Sequence, residues 1–440
     1  MESIWTETVD MEQQPKLQQD ISTEAVVIGG GMAGILTAYF LEKRGIHTVV
    51  LEAKRVGSGQ TGGTTAKITL QHGLFYHRMT ELIGRERMEG YAAANREAVD
   101  NYRLLADRER ISCDLQEAGA FLYSRQNVHL LEEEAMAAES LGIKASLTTS
   151  TGLPFPVAGA LEFPGQAMFH PLKFLQGIMK GLTIYEGTKA ISVEGTTVIT
   201  NHGRVKGKYI VFATHYPFVN FPGYYFLRMH QERSYCIALK NVPRLDGMYY
   251  GIDKNGLSLR SYGEYLLLGG LGHRTGENRQ GAQYQRLLKA ARTYYPECVP
   301  VWRWSAQDCV SVDQIPYIGR YSISRPDWFV AAGFHKWGMT GSMVSAMIIS
   351  DLIAEGESRY EKIFTPQRYL LRASVGEQLK EIGHSAAGLG NIFTKAPRCP
   401  HLGCRLKWNK TERTWDCPCH GSRFDRDGQL IDNPAQTDLR

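Results

Sequence analysis

The stretch EAVVIGGGMAGILTAYFLEKRGIHTVVLE, residues 24–52, leaves the front of this chain little freedom in how it folds. Ala25 to Ile28 are apolar and rich in β-branched residues, which suits a strand buried on both faces of a parallel sheet. The pattern G-x-G-x-x-G follows at once on Gly29, Gly31 and Gly34. A helix is expected from about Met32 to Gly45, then a second strand over Thr48–Leu51, with Glu52 just beyond it. Gly29 serves the tight turn, Gly31 lets backbone approach a pyrophosphate, and Gly34 lets helix close on strand. The helix N-terminus offers free N–H groups and a partial positive charge to phosphates. A carboxylate at Glu52 accepts hydrogen bonds from a ribose. The glycines alone would be weak evidence. In order with strand, helix, strand and acid, they specify a dinucleotide-binding unit. No second unit follows, which argues against a reductase that binds both FAD and NAD(P)H.

A second constraint sits at the other end. CPHLGCRLKWNKTERTWDCPCHGS, residues 399–422, holds four of the chain's eight cysteines and two of its thirteen histidines. Such a cluster could be a zinc finger, a disulfide staple or a redox centre. The ligand order is Cys399-x-His401 and then Cys417-x-x-His420. A common zinc finger would order its ligands Cys, Cys, His, His. Cys, His, Cys, His matches a Rieske [2Fe–2S] centre, in which two thiolates hold one iron and two imidazoles the other. Cys113, Cys236, Cys298 and Cys309 are scattered and read as buried free thiols.

Composition narrows the class. A chain of 440 residues is long enough for two or three domains with a full apolar core. The formal charge of +5 is small for this length, and no basic block with interleaved aromatics appears, so nucleic acid is not an expected partner. The first residues are polar and acidic, without the apolar region of a secretory signal. The uncharged run Ala25 to Leu41 is interrupted by glycines and reads as strand, turn and helix, not as a membrane span. The expected location is the cytoplasm.

The fingerprint does not choose between FAD and NAD; further segments do so by resemblance. GSGQTGGTTAKITLQHG, residues 57–73, resembles the second flavin-contact loop of the D-amino-acid oxidase and glycine oxidase superfamily. FVAAGFHKWGMTGS, residues 329–342, is similar to that superfamily's closing flavin motif, with Gly333 and a helix opening at Gly338, Met339 and Thr340. GTKAISVEG and YIVFATHYP resemble the strands that hold adenine and close the FAD domain, which implies Ala190, Ala213 and Thr214 as cofactor neighbours. The resemblance implies Thr64 and Thr65 beside the cofactor and Lys67 as a catalytic residue next to the isoalloxazine. A cation there favours the anionic reduced ring. Where amino-acid oxidases often carry Arg-Pro before a D-x-x-P-x-x-G segment, this chain has Gln307, Asp308 and Cys309 around that place. Arg228, Arg233, Arg260, Tyr262 and His273 are then the candidates for gripping a substrate anion, Arg260 foremost among them as a catalytic residue.

At the tail, C-P-H-L-G-C and C-P-C-H-G-S resemble the two cluster loops of high-potential Rieske proteins. That resemblance implies a disulfide between Cys404 and Cys419. It also sets an expectation for the potential: Ser422 is present, but Phe424 stands where such relatives carry a tyrosine hydroxyl, so the cluster should lie lower in the Rieske range. Ser374 to Arg398 shows little strand pattern, so the base of this domain should be short.

The fold class expected is α+β. A discontinuous Rossmann-like FAD domain (22–80, 161–220 and 301–365) is interrupted by a sheet-and-helix substrate domain (81–160 and 221–300). A small, shortened all-β Rieske tail occupies 385–440. The whole resembles bacterial FAD-dependent oxidoreductases with a C-terminal Rieske domain. The implied activity is oxidation of a small amine- or amino-acid-like substrate, with FAD and a [2Fe–2S] cluster as cofactors. Electrons would pass one at a time through the cluster to or from an unidentified partner, in a dehydrogenase sooner than an oxidase. Two other readings stay open: an O₂-using oxidase with a vestigial tail, and a non-enzymatic flavin and iron–sulfur redox sensor.

Overall fold

The computed structural model describes residues 3–278, 280–370, 374, 383 and 396–439. Ala25–Ile28 is buried at every position and lies inside a six-stranded sheet. Its order is Tyr317–Ser322, Arg325–Ala332, Tyr209–Phe212, Ala25–Ile28, Thr48–Leu51, Thr183–Tyr185, and only the first pairing is antiparallel. Alternation along the strand sends Ala25 and Val27 into one apolar core, and Val26 and Ile28 into another. The first core includes the helices Met32–Lys43 and Gly338–Ala354, which pack together. The second lies under the sheet Ile21–Ser22, Gly203–Lys206, Thr197–Thr200, Ala190–Glu194. The two cores on either side of the sheet make this a three-layer arrangement, in keeping with the Rossmann-like domain expected. Met32–Lys43 stops before Gly45, whose φ of +76° suits glycine.

The second large sheet has nine strands. Its main path runs Val299–Ser311, Met229–Lys240, Tyr265–Arg274, Ser258–Tyr262, Met248–Gly251, Gln116–Ser124, Gly159–Met168, Lys67–Ile68. Two expected boundaries therefore move. Gly159–Met168 and Val299–Ser311 each cross a sequence-drawn border (160/161 and 300/301), and both belong to this sheet. The helix Arg85–Arg108, expected to open the substrate domain, instead packs on Gly338–Ala354, with Tyr102 donating to the Met339 carbonyl at 2.9 Å. Its buried stripe at Met88, Tyr91, Ala92, Asn95, Val99 and Tyr102 spaces like a helix face.

The tail is a four-stranded antiparallel sheet: Lys407–Asn409, Thr414–Asp416, Arg423–Phe424, Leu430–Asp432. Its own core is Cys399, Cys404, Leu406, Cys417, Cys419, Phe424 and Ala435. The segment expected to form a shortened base, between Ser374 and Arg398, lies almost wholly outside the described residues. Among the described residues no helix is long and apolar enough to cross a membrane.

Candidate functional site

The glycine turn is built for close approach. Gly29 has φ +114°, and a Cβ there would run into the Ala213 carbonyl; a Cβ on Gly34 would strike the carbonyl of Gly29. These two glycines serve the fold's own packing. Gly31 differs, because its Cβ position meets only Thr61 Oγ1 at 3.4 Å, and its bare backbone caps the helix Met32–Lys43. Glu52 accepts from the Gly30 N–H at 2.8 Å and the Lys54 N–H at 2.7 Å. A carboxylate has lone pairs to spare beyond those two, so a ribose hydroxyl could still be held. Ala213 packs against Gly29, Thr214 Oγ1 donates to the Tyr216 carbonyl at 2.9 Å, and Ala190 opens the strand Ala190–Glu194 of the neighbouring sheet. The residues fit a dinucleotide.

The flavin loop is pinned from three directions. Ser3 donates to the Gly62 carbonyl, Trp304 Nε1 to Gly63 at 2.9 Å, and Trp5 Nε1 to Thr64 at 2.7 Å. Trp5 and its neighbour Ile4 are fully buried, within an otherwise largely polar stretch. Past this loop opens a cavity of about 490 Å³ lined by Thr64, Thr65, Lys67, Tyr250, Asp308 and Trp337 among others. The helix Gly338–Ala354 starts beside it, with Thr340 Oγ1 within 3.3 Å of His72 Nε2 and His72 stacked on Trp337. Burial holds His72 neutral, at about 3. Gly333 turns the chain into this segment with φ +74°.

Lys67 lines the cavity and donates to Ser258 Oγ at 2.7 Å and the Tyr249 carbonyl at 3.1 Å. Burial, aided by the nearby Arg260 charge, lowers it to about 7. Lys336, which the sequence reading did not single out, is the second lysine of the cavity and pairs with Glu232 at 3.0 Å. Burial pushes Asp308 up to about 6.

The anion-gripping candidates are spent elsewhere. Arg260 gives its donors to the carbonyls of Ala66 (2.9 Å) and Phe169 (3.4 Å) and lies under Trp5. It braces the flavin loop from behind and does not line the cavity, which corrects its expected catalytic role. Arg228 bonds the carbonyls of Pro366 and Gly223, and Arg233 pairs with Glu412 at 2.6 Å. Tyr262 donates to Asp114, and His273 sits between the Arg274 carbonyl and the Tyr235 hydroxyl. Tyr235 lines the cavity; His273 does not.

In the tail, Cys404 and Cys419 are joined by a disulfide. Cys417 Sγ lies within 4.8 Å of both of its sulfurs, yet bonded sulfurs cannot serve as thiolates, so that trio is not a ligand set. The four residues singled out by spacing converge instead. Cys399 and Cys417 share a hydrogen bond, which lowers the Cys399 thiol to about 7. The rings of His401 and His420 stand 5.0 Å apart at 89°. Burial, then the neighbouring His420, keeps His401 neutral at about 3, and its Nδ1 is buried without a hydrogen-bond partner. Two adjacent thiols and two facing imidazoles, that of His401 neutral with an orphaned nitrogen, fit a Rieske cluster.

The tail is bolted to the rest of the chain. Gln307 Nε2 donates to the Gly421 carbonyl at 2.9 Å and to Gln231 Oε1 at 2.7 Å. Gln231 Nε2 donates to the His420 carbonyl at 2.7 Å, and Arg274 to the carbonyls of Pro418 and Cys419. Asn433 reaches the carbonyls of Thr214 and Tyr216, and His401 Nε2 meets Asn220 Oδ1 at 2.9 Å. Glu412 is shared by Arg233, Arg423 and Ser305. These two guanidiniums, working against burial, hold it at about 2. Successive residues of one strand serve both sites: Ala306 and Asp308 line the cavity, while Gln307 between them grips the cluster loop. The Gln307 N–H also donates to Gln60 Oε1, at the head of the flavin loop, at 2.6 Å. Sequence alone could not nominate Gln307, Gln231, Asn220 or Asn433, because amides carry no spacing signature.

Comparison with known proteins agrees with this geometry. The pattern of the FAD dependent oxidoreductase family matches residues 24–352, and that of the Rieske [2Fe-2S] domain matches 353–440. A Rieske 2Fe-2S iron-sulfur protein of Bacillus subtilis, YhfW, is 35% identical over 100% of this chain and 97% of its own length. The gamma-glutamylputrescine oxidoreductase of Escherichia coli is 26% identical over 45% of this chain and 50% of its own. Among solved structures, glycine oxidase from Geobacillus kaustophilus superposes with a TM-score of 0.68 at 18% identity, covering 79% of this chain and 99% of that one. L-proline dehydrogenase from P. horikoshii gives 0.66 at 19%, covering 80% and 98%.

Proposed function

The chain belongs to the FAD dependent oxidoreductase family and ends in a Rieske [2Fe-2S] domain, and from that premise we propose that it is a dehydrogenase that oxidises a small amine- or amino-acid-like substrate and passes the electrons on through its own tail. Bound FAD supplies a two-electron acceptor, and a bound [2Fe–2S] cluster supplies a one-electron carrier. Gly31, at the helix N-terminus, would leave room for the pyrophosphate, with Gly29 and Gly34 closing the turn behind it, and Glu52 would receive the ribose. Thr64, Thr65, Lys67, Gly338, Met339 and Thr340 surround the isoalloxazine, with Ala190, Ala213, Thr214 and Gly333 shaping the remaining walls. Lys67 carries an adjustable proton at Nζ. Cys399, His401, Cys417 and His420 hold the cluster.

The observation that carries this reading is the strand Val299–Ser311. It is the wall between cavity and cluster loop, and the wall is one strand thick at Gln307. A vestigial tail would have no reason to keep four converging ligands and a buried clasp. The substrate class rests on the superposed amino-acid-oxidising enzymes and on the relative named for gamma-glutamylputrescine. We place the activity in the cytoplasm, with a protein or small-molecule electron acceptor as partner.

The test is aerobic turnover with a panel of amines and amino acids, scored for peroxide and for reduction of an added one-electron dye. Dye reduction without stoichiometric peroxide is expected; peroxide in full yield would make the protein an oxidase.

A further inference from the structure

Which substrates the cavity admits can be read from its charges. Among the described residues, no arginine lines it. Its charged side chains are Lys67, Lys336, Asp253 and Asp308. Lys336 is matched by Glu232 at 3.0 Å. Lys67 is held among a carbonyl, a hydroxyl and the cation of Arg260, in surroundings that favour its neutral form. Asp253 accepts from Ser124 Oγ at 2.6 Å and from the Arg125 N–H at 2.8 Å. Asp308 makes no ion pair among the described residues. Counting the Glu232 behind Lys336, three carboxylates face two lysines. The surplus charge is negative, and Asp253 and Asp308, neither of them in an ion pair among the described residues, carry it.

The walls agree. Tyr235, Tyr250 and Trp337 line the same space, and the rings of Tyr250 and Trp337 meet edge to face at 5.7 Å. Aromatic faces beside a carboxylate attract cations. A substrate carboxylate is gripped best by a bidentate guanidinium, and the arginines nearby (Arg233 and Arg260) are already committed to Glu412 and to backbone carbonyls.

We infer that Asp308, with Tyr250 and Trp337, forms an ammonium-binding subsite, so that the substrate is an aliphatic amine with no carboxylate beside its reacting carbon. The inference rests on the oxidoreductase reading above and narrows it. With its carboxyl near 6, Asp308 is ionised at neutral pH; Lys336, Glu232, Arg233 and Ser234 are the groups that act on it. A primary amine bound there is aligned by its nitrogen, and its alkyl chain is left to the aromatic walls.

The experiment uses FAD-loaded full-length protein and two probes that cannot be oxidised at an amine: tetramethylammonium and acetate. Each is titrated at pH 8 while the flavin absorbance is followed. Tetramethylammonium is expected to perturb the spectrum saturably and acetate not to. Asp308→Asn should weaken tetramethylammonium about tenfold, while Asp308→Glu restores it. Tighter binding of acetate, or unchanged binding of tetramethylammonium to Asp308→Asn, would overturn the subsite. If neither variant accumulates, the wild-type ranking of the two probes decides. Anaerobic mixing with n-butylamine and with glycine separates this inference from the reading beneath it. Flavin reduction by glycine with acetate binding sinks the subsite and keeps the oxidoreductase. Flavin reduction by butylamine alone supports both. No reduction by either counts against the oxidoreductase, and the ion ranking still scores the subsite.

Discussion

The two cofactor sites of this molecule are held together in opposite ways. The dinucleotide cradle is made of backbone: glycines too crowded for a Cβ, strands buried on both faces, and helices set in cores that run through most of the chain. The tail has a core of seven residues, four of them cysteines. So small a core excludes too little water to stand alone. What it lacks is supplied from outside, by the amides of Gln231 and Gln307 and by the ions around Glu412. A site carried by a large core tolerates loss of single contacts. A site carried by a clasp should not, and its clasp can also serve as its electrical connection.

The largest effect should follow from Glu412→Ala. It leaves the buried guanidiniums of Arg233 and Arg423 short of an anion, a loss of about 3–5 kcal/mol. Limited proteolysis should release the tail while the remaining body keeps its FAD. Release of FAD along with the tail would show that the two sites share one stability.

Gln307→Leu removes the donor to Gly421 and leaves that carbonyl buried, a cost of about 2 kcal/mol. Transfer between the sites should slow about thirtyfold, which is the same cost expressed as a population, while substrate reduction of the flavin keeps its rate. Stopped-flow absorbance separates the two steps. Equal slowing of both would place Gln307 in the cavity's chemistry.

Lys67→Met should slow a flavin half-reaction about tenfold, or about 1.4 kcal/mol of barrier, and the effect should depend on pH. Lys67 loses its proton as pH rises through about 7, so its charge is present below that value and absent above it. The ratio of wild-type to variant rate should therefore be largest near pH 6 and fall toward one by pH 8.5. A ratio independent of pH would mean that the proton on Nζ does not matter.

The smallest effect is expected from Phe424→Tyr. Phe424 is fully enclosed in the tail core, so an added hydroxyl must find an acceptor, and a ligand cysteine's sulfur is the acceptor that the Rieske resemblance implies. An EPR-monitored titration should show a modest rise in midpoint. An unmoved or lowered midpoint would remove the hydroxyl from the explanation of the potential.

How much of this was legible beforehand follows the same division. Gly29, Gly31, Gly34 and Glu52 declare themselves because turn, helix and strand are local in sequence. Cys399, His401, Cys417 and His420 declare themselves through order and spacing, and the tail folds them together. Arg260 misled because an arginine in a strand says nothing about where its donors end; Ala66 and Phe169 take them. Trp5 is a lone tryptophan in a largely polar stretch, and the Thr64 carbonyl it pins lies 59 residues on, beyond the reach of any local pattern. Gln307 and Asp308 were seen only as the place where Arg-Pro was missing. Their meaning depends on the two faces of one strand, and only the partners across that strand, a cavity on one side and Gly421 on the other, reveal it.

The central claim is that electrons cross from cavity to cluster inside one chain. The direct measurement is anaerobic rapid freeze-quench EPR after mixing full-length protein, loaded with FAD and iron–sulfur cluster, with a limiting amount of a reducing amine, repeated across a tenfold range of protein concentration. The account predicts that the reduced Rieske signal rises after flavin bleaching with a first-order rate that does not change with concentration. A rate that scales with protein concentration, or flavin bleaching with no Rieske signal from an intact cluster, would contradict it.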